Sequence, residues 1–181
     1  MKVLLVDDEP FILQGLSVLI DWAAEGCEIV KMASNGKEAL LYLEDHEADL
    51  VITDIKMPVM SGLELLEQIR GRQISDAFFI ILSGYNDFSY AQKAIRYACM
   101  DYLVKPVQKE ALLELIRKAK SSLAVTEQNA ENERRMQEMQ LKQYIIALLR
   151  GKQNEEELKY VKERLRLGDG GLRYIHISMQ N

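Results

Sequence analysis

Five times between residues 1 and 107 a short apolar run gives way to an amphipathic stretch, and no other feature of the chain narrows its fold so far. The runs at 2–6, 28–33, 50–53, 78–82 and 102–104 read as strands. Several are apolar without alternation, as expected where both faces of a parallel sheet are covered. Between them, 10–21, 36–46, 61–71 and 87–97 read as helices, with Leu40/Leu43 and Leu63/Leu66/Ile69 at helical spacing. Repeated βα units predict a doubly wound α/β fold on a five-stranded parallel sheet. Ligands of such sheets bind beyond the carboxyl ends of the strands, where the strand order reverses.

After Pro106 a further helix is expected, with Leu112, Leu115/Ile116, Ala119 and Leu123 on one stripe. It runs on into a polar stretch, 127–140, in which only Ala130, Met136 and Met139 are apolar. Two readings stand for that stretch: a linker helix pairing with its twin as a short, imperfect coiled coil, or a single solvated helix. Residues 141–150 read as a short apolar helix ending at Gly151, 154–166 as a charged helix, 168–171 as a turn and 172–179 as a strand. So small a segment rarely folds alone. The expected organisation is therefore a first domain over 1–120, a helical linker over 121–150, and over 151–181 the start of a second domain that continues beyond the chain.

Charge divides along the same line. Residues 1–105 carry 9 Lys/Arg against 17 Asp/Glu, and 106–181 carry 14 against 11. Neither part concentrates basic residues as duplex DNA would require, so nucleic-acid contact within this chain is not expected. The apolar run after Met1 stops at Asp7, too short for a signal-peptide core, and no stretch approaches a membrane span. Cys27 and Cys99 lack metal-type spacing and read as reduced thiols of a cytoplasmic protein.

Four sets of residues fall just past predicted strands: Asp7 and Asp8, Asp54, Ser83, and Lys105. Strand-end aspartates often cap helices and a lone lysine is usually solvated, so each taken singly says little. Together they place three carboxylates, a hydroxyl and an ammonium at one edge. Carboxylates packed there repel one another unless a cation lies among them, and magnesium, typically held by one or two carboxylates plus phosphate oxygens, suits the set. Asp54 could then attack a phosphoryl group in line, its charge offset by the metal and Lys105.

The segments Val6-Asp7-Asp8-Glu9-Pro10, Thr53-Asp54-Ile55-Lys56-Met57-Pro58 and Tyr102-Leu103-Val104-Lys105-Pro106 resemble the response-regulator receiver family of two-component systems over about residues 1–120. The resemblance implies a flavodoxin-like fold, phosphorylation of Asp54 by a cognate sensor histidine kinase, and magnesium (or another divalent cation) on Asp8, Asp54 and the Lys56 carbonyl, with Asp7 acting through water. It also implies that Lys105 contacts the phosphoryl group, that the Ser83 hydroxyl swings toward it, and that Tyr102 rotates inward. Phosphorylation would then promote a homodimer. Ile20-Asp21-Trp22 and the stretch from Ser83 to Ala91 are similar to receivers joined to AraC-type DNA-binding domains; DNA would be reached only through such a domain, absent here.

Val59-Met60-Ser61-Gly62 departs from the family's usual loop, although Ser61 can still cap a helix. Ala98-Cys99-Met100 lacks the glycine usual before Asp101, which leaves the join into the fifth strand open. A phosphatase of the haloacid-dehalogenase type is a rival from another class. It needs an acid two residues after its nucleophile, where this chain has Lys56. A stand-alone receiver acting through protein contacts is a second rival. His46 and His176 read as structural.

Overall fold

The computed structural model describes residues 1–84, 99–149 and 155–164. The expected helix at 87–97 with Tyr85, Phe88 and Tyr90, the turn at 168–171, and the strand at 172–179 with His176 lie outside the described residues. The chain divides into two units, Met1–Ala124 and Val125–Asn181.

In the first unit the order is β1 (Lys2–Val6), α1 (Pro10–Leu19), β2 (Glu28–Ala33), α2 (Gly36–Asp45), β3 (Leu50–Asp54), α3 (Gly62–Arg72), β4 (Phe78–Ser83) and β5 (Asp101–Val104). The strands form one parallel sheet in the order β2-β1-β3-β4-β5. A 41-residue helix, α4 (Lys109–Leu149), follows. No glycine or proline falls between Pro106 and Gly151 to stop it, so the helix predicted separately at 141–150 is its last part.

Strand alternation sorts the core. Val3 and Leu5 of β1 pack with Leu50, Ile52, Ile80, Leu82, Leu16 of α1, and Leu112, Leu115, Ile116 and Ala119 of α4. Leu4 and Val6 face the other way, onto Leu40 and Leu43 of α2, Leu65, Leu66 and Ile69 of α3, and Phe79. A sheet covered on both faces needs apolar residues at every strand position, which is why its runs do not alternate.

Local chemistry sets the helix ends. Pro10 opens α1 without needing a partner for its missing N–H. The helix ends two residues before its predicted limit: Ile20 turns extended, Trp22 donates its indole N–H to the Leu16 carbonyl at 3.1 Å, and the Ala24 amide donates to Asp21. Ser61 and Glu64 form a reciprocal capping box at the start of α3. Val59, just before it, holds φ at +71°, a left-handed conformation unfavourable to a β-branched residue.

In the second unit, α5 (Glu155–Arg164) lies antiparallel to the last part of α4. Tyr144 meets Tyr160 edge to face with ring centroids 5.2 Å apart, and Arg164 donates to Gln137.

Candidate functional site

The strand order reverses between β1 and β3, and the carboxylates that end these two strands are those of Asp7 and Asp54. Lys105 follows β5, two strands beyond β3, and is anchored by its own amide, which donates to the Ser83 carbonyl at 2.8 Å. The Lys105–Pro106 peptide is cis. From there Nζ reaches back to Asp54 Oδ1 at 2.6 Å and Asp7 Oδ2 at 2.7 Å.

Both carboxylates are buried, Asp7 completely. A buried charge is tolerated only when paired and hydrogen-bonded. Asp7 accepts from the Glu9 amide at 2.9 Å as well as from Lys105, and Asp54 Oδ2 accepts from the Lys56 amide at 2.7 Å. Burial nevertheless raises the pKa of Asp54: desolvation and the neighbouring Asp7 together outweigh the hydrogen bonds and positive charge that favour its carboxylate. For Lys105, burial works against the ammonium, but the hydrogen bonds it donates to Asp54 and Asp7, together with their negative charge, overcome it and raise its pKa. One cation thus serves two carboxylates, and the site still holds more negative charge than it neutralises.

The expected residues are not all in contact. Asp8 is exposed, one residue past the point where Asp7 turns into the pocket. Among the described residues no group of three or more His, Cys, Asp or Glu is gathered closely enough to hold a metal ion. Lys105 thus bridges two of the three strand-end carboxylates, Asp7 and Asp54. Lys56 meets Asp54 through its amide. Ser83 is buried and donates its hydroxyl to the Gly84 carbonyl at 3.3 Å, and Tyr102 is 49% exposed. With oxygen donors alone and two carboxylates already facing one cation, the residues fit a hard ion such as magnesium, which uses one or two carboxylates and keeps its waters.

Gly62 was underread from sequence. A Cβ there would lie 2.1 Å from the Asp54 carbonyl oxygen, so the start of α3 packs directly on the backbone of the central aspartate. The signal was its position one residue after the Ser61 cap.

A doubly wound sheet with an acidic pocket bridged by one lysine at its switch point defines a small class of α/β domains. The chain belongs to the response regulator receiver domain family, whose profile matches residues 3–117. The transcriptional regulatory protein YesN of Bacillus subtilis (strain 168) is 39% identical over 112 residues, 62% of this chain and 30% of that protein. HptR, a transcriptional regulatory protein of Staphylococcus aureus (strain N315), is 42% identical over 115 residues, 64% of this chain and 44% of its own length. The chain thus spans less than half the length of either. Among solved structures, the receiver domain of AraT, a response regulator from Geobacillus stearothermophilus, superposes with a TM-score of 0.65 at 39% identity, covering 70% of this chain and 97% of that one.

Proposed function

We propose that Asp54 accepts a phosphoryl group from a sensor histidine kinase and that this switches a transcriptional regulator of which the chain is part. The observation that carries the reading is the ammonium of Lys105 at 2.6 Å from a buried strand-end carboxylate. An Asp54 oxygen bonds to phosphorus as the phosphorus–nitrogen bond to the kinase histidine breaks, and the imidazole leaves with a proton. The product is an acyl phosphate. Lys105 passes from the carboxylate to the phosphoryl oxygens, holding the charge that forms there. Asp8, Asp54, the Lys56 carbonyl and Asp7 would hold magnesium, whose chemistry there is to neutralise phosphoryl charge. Ser83 and Tyr102 relay the change, Ser83 by turning its hydroxyl to the new acceptor oxygens and Tyr102 by moving inward.

A transcriptional output is supported by the names of the relatives, which are transcriptional regulators; its AraC type rests on the likeness of Ile20-Asp21-Trp22 and the stretch from Ser83 to Ala91 to receivers joined to such domains. The state change favours a homodimer, and the protein works in the cytoplasm as a switch with only slow self-dephosphorylation. Incubation with a small phosphodonor and magnesium should label the chain and leave Asp54→Asn unlabelled. Equal labelling of the two would sink the assignment. The dimer would be wrong if a stable phosphoryl mimic with magnesium left the molecular mass in solution unchanged.

A further inference from the structure

The part of α4 that lies in the second unit presents two different faces. On one, Gln137 meets Arg164 and Tyr144 meets Tyr160, so α5 occupies it. The other is a stripe spaced alternately by four and three residues: Val125, Asn129, Asn132, Met136, Met139, Gln143 and Ile146. All seven side chains are exposed. The four apolar ones are between 46% and 68% exposed. Seven charged residues fall between 125 and 146, and none lies on the stripe. A face that only meets water has no reason to exclude charge so completely; one that meets another helix does.

We infer that this stripe is the seam of a parallel, two-stranded coiled coil with a second copy of the chain. The inference names the surface for the homodimer proposed above and needs nothing of the phosphoryl step. In heptad terms Val125, Asn132, Met139 and Ile146 take the d positions, and Asn129, Met136 and Gln143 the a positions. An asparagine at an a position pairs with itself across a parallel dimer, fixing register at a cost in stability. Parallel pairing brings Arg135 of one copy to Gln140 of the other and Lys142 to Ala147, with no like charges opposed. Reversed about Met136 and Met139, the stripe would set Arg135 beside Lys142 twice over. The occupant that fits is therefore a second copy in the same direction.

The seam is about 33 Å long at the helical rise, with amides at three of its seven positions. Such a zipper is weak, so association depends on concentration and leaves room for the receiver to bias it.

Sedimentation of the full chain tests this. The wild type should show a dimer that grows with concentration, and Met136→Glu/Met139→Glu should raise its dissociation constant at least about tenfold, equivalent to about 1.4 kcal/mol. Ala130→Glu, which adds a negative charge off the stripe, should leave the dimer unchanged. A wild type that stays monomeric, or a double variant that dimerises as the wild type does, would overturn the proposal. Asn132→Cys should give a disulfide-linked dimer on oxidation where the wild type gives none; absence of that link would rule out the parallel seam. Phosphoryl labelling of the double variant should match the wild type, so that failure of the seam and failure of the Asp54 reading are told apart.

Discussion

Two ion pairs in the first unit have nearly the same length and opposite consequences. Lys105 lies 2.6 Å from Asp54 at the carboxyl edge of the sheet, and Lys31 lies 2.7 Å from Glu38 at the join of β2 and α2. Glu38, 38% exposed, is pulled down to about 2 by the hydrogen bond from Lys31 and those from Ser34. Asp54 is pushed up, because burial outweighs its lysine. Separation alone does not decide what an ion pair does; the solvent each group has given up decides the sign. At the exposed join, the charges relax a helix start. At the buried edge, two carboxylates face one ammonium and negative charge is held in excess.

The largest effect should come from removing the cation at the buried edge. Lys105→Met leaves Asp7 and Asp54 facing each other without a counter-charge, and without divalent ions should cost about 3 kcal/mol in urea unfolding. Added magnesium should restore part of that loss, and far less in Asp54→Asn. If Lys105→Met proved neutral without divalent ions, the two pairs would be energetically alike and the comparison would fail. Next comes Gly62→Val, which drives a side chain into the Asp54 carbonyl. Overpacking at a point with no flexible neighbour should cost about 2 kcal/mol in thermal or urea unfolding, while leaving the Lys31–Glu38 side untouched.

The fold was legible because repeated βα units leave few topologies, and all described strands fall within a residue of their expected limits. Less legible was anything that depends on reach across strands. That Asp7, Asp8, Asp54 and Lys105 lie at strand ends follows from local pattern. That Lys105 bridges Asp7 and Asp54 while Asp8 stays in solvent depends on side-chain direction across β3 and β4, which no periodicity encodes. The early end of α1 has the same origin, since it rests on the Trp22 indole turning back to Leu16. Ser61 could be named as a cap because a capping box is a local motif; its neighbour Val59, in a left-handed conformation, carries no local sign of it.

Val59 gives a prediction of intermediate size. Val59→Gly removes a β-branched side chain from φ +71° in the loop between β3 and α3, and should stabilise the fold by about 1 kcal/mol, read as a higher thermal midpoint. Because the loop follows the Asp54 strand, the same variant asks whether strain there holds the buried edge in place. A gain in stability with undiminished labelling of Asp54 would show that it does not.

The smallest effect separates the two pairs by pH. Glu38 has a folded value of about 2 against an ordinary 4.5, so its contribution is fully present above 4.5 and is lost as pH falls toward 2. Solvent screening at so exposed a pair keeps that contribution to about 0.5 kcal/mol. Asp54 runs the other way: its folded value lies above the ordinary 3.8, so its contribution is present in acid and lost as pH rises through that value. Glu38→Gln should therefore flatten the acid limb of stability against pH, and Asp54→Asn the limb above 3.8 in the absence of divalent ions. Urea midpoints across that range measure both, and slopes of the same sign for the two variants would mean that burial does not set the difference between the pairs.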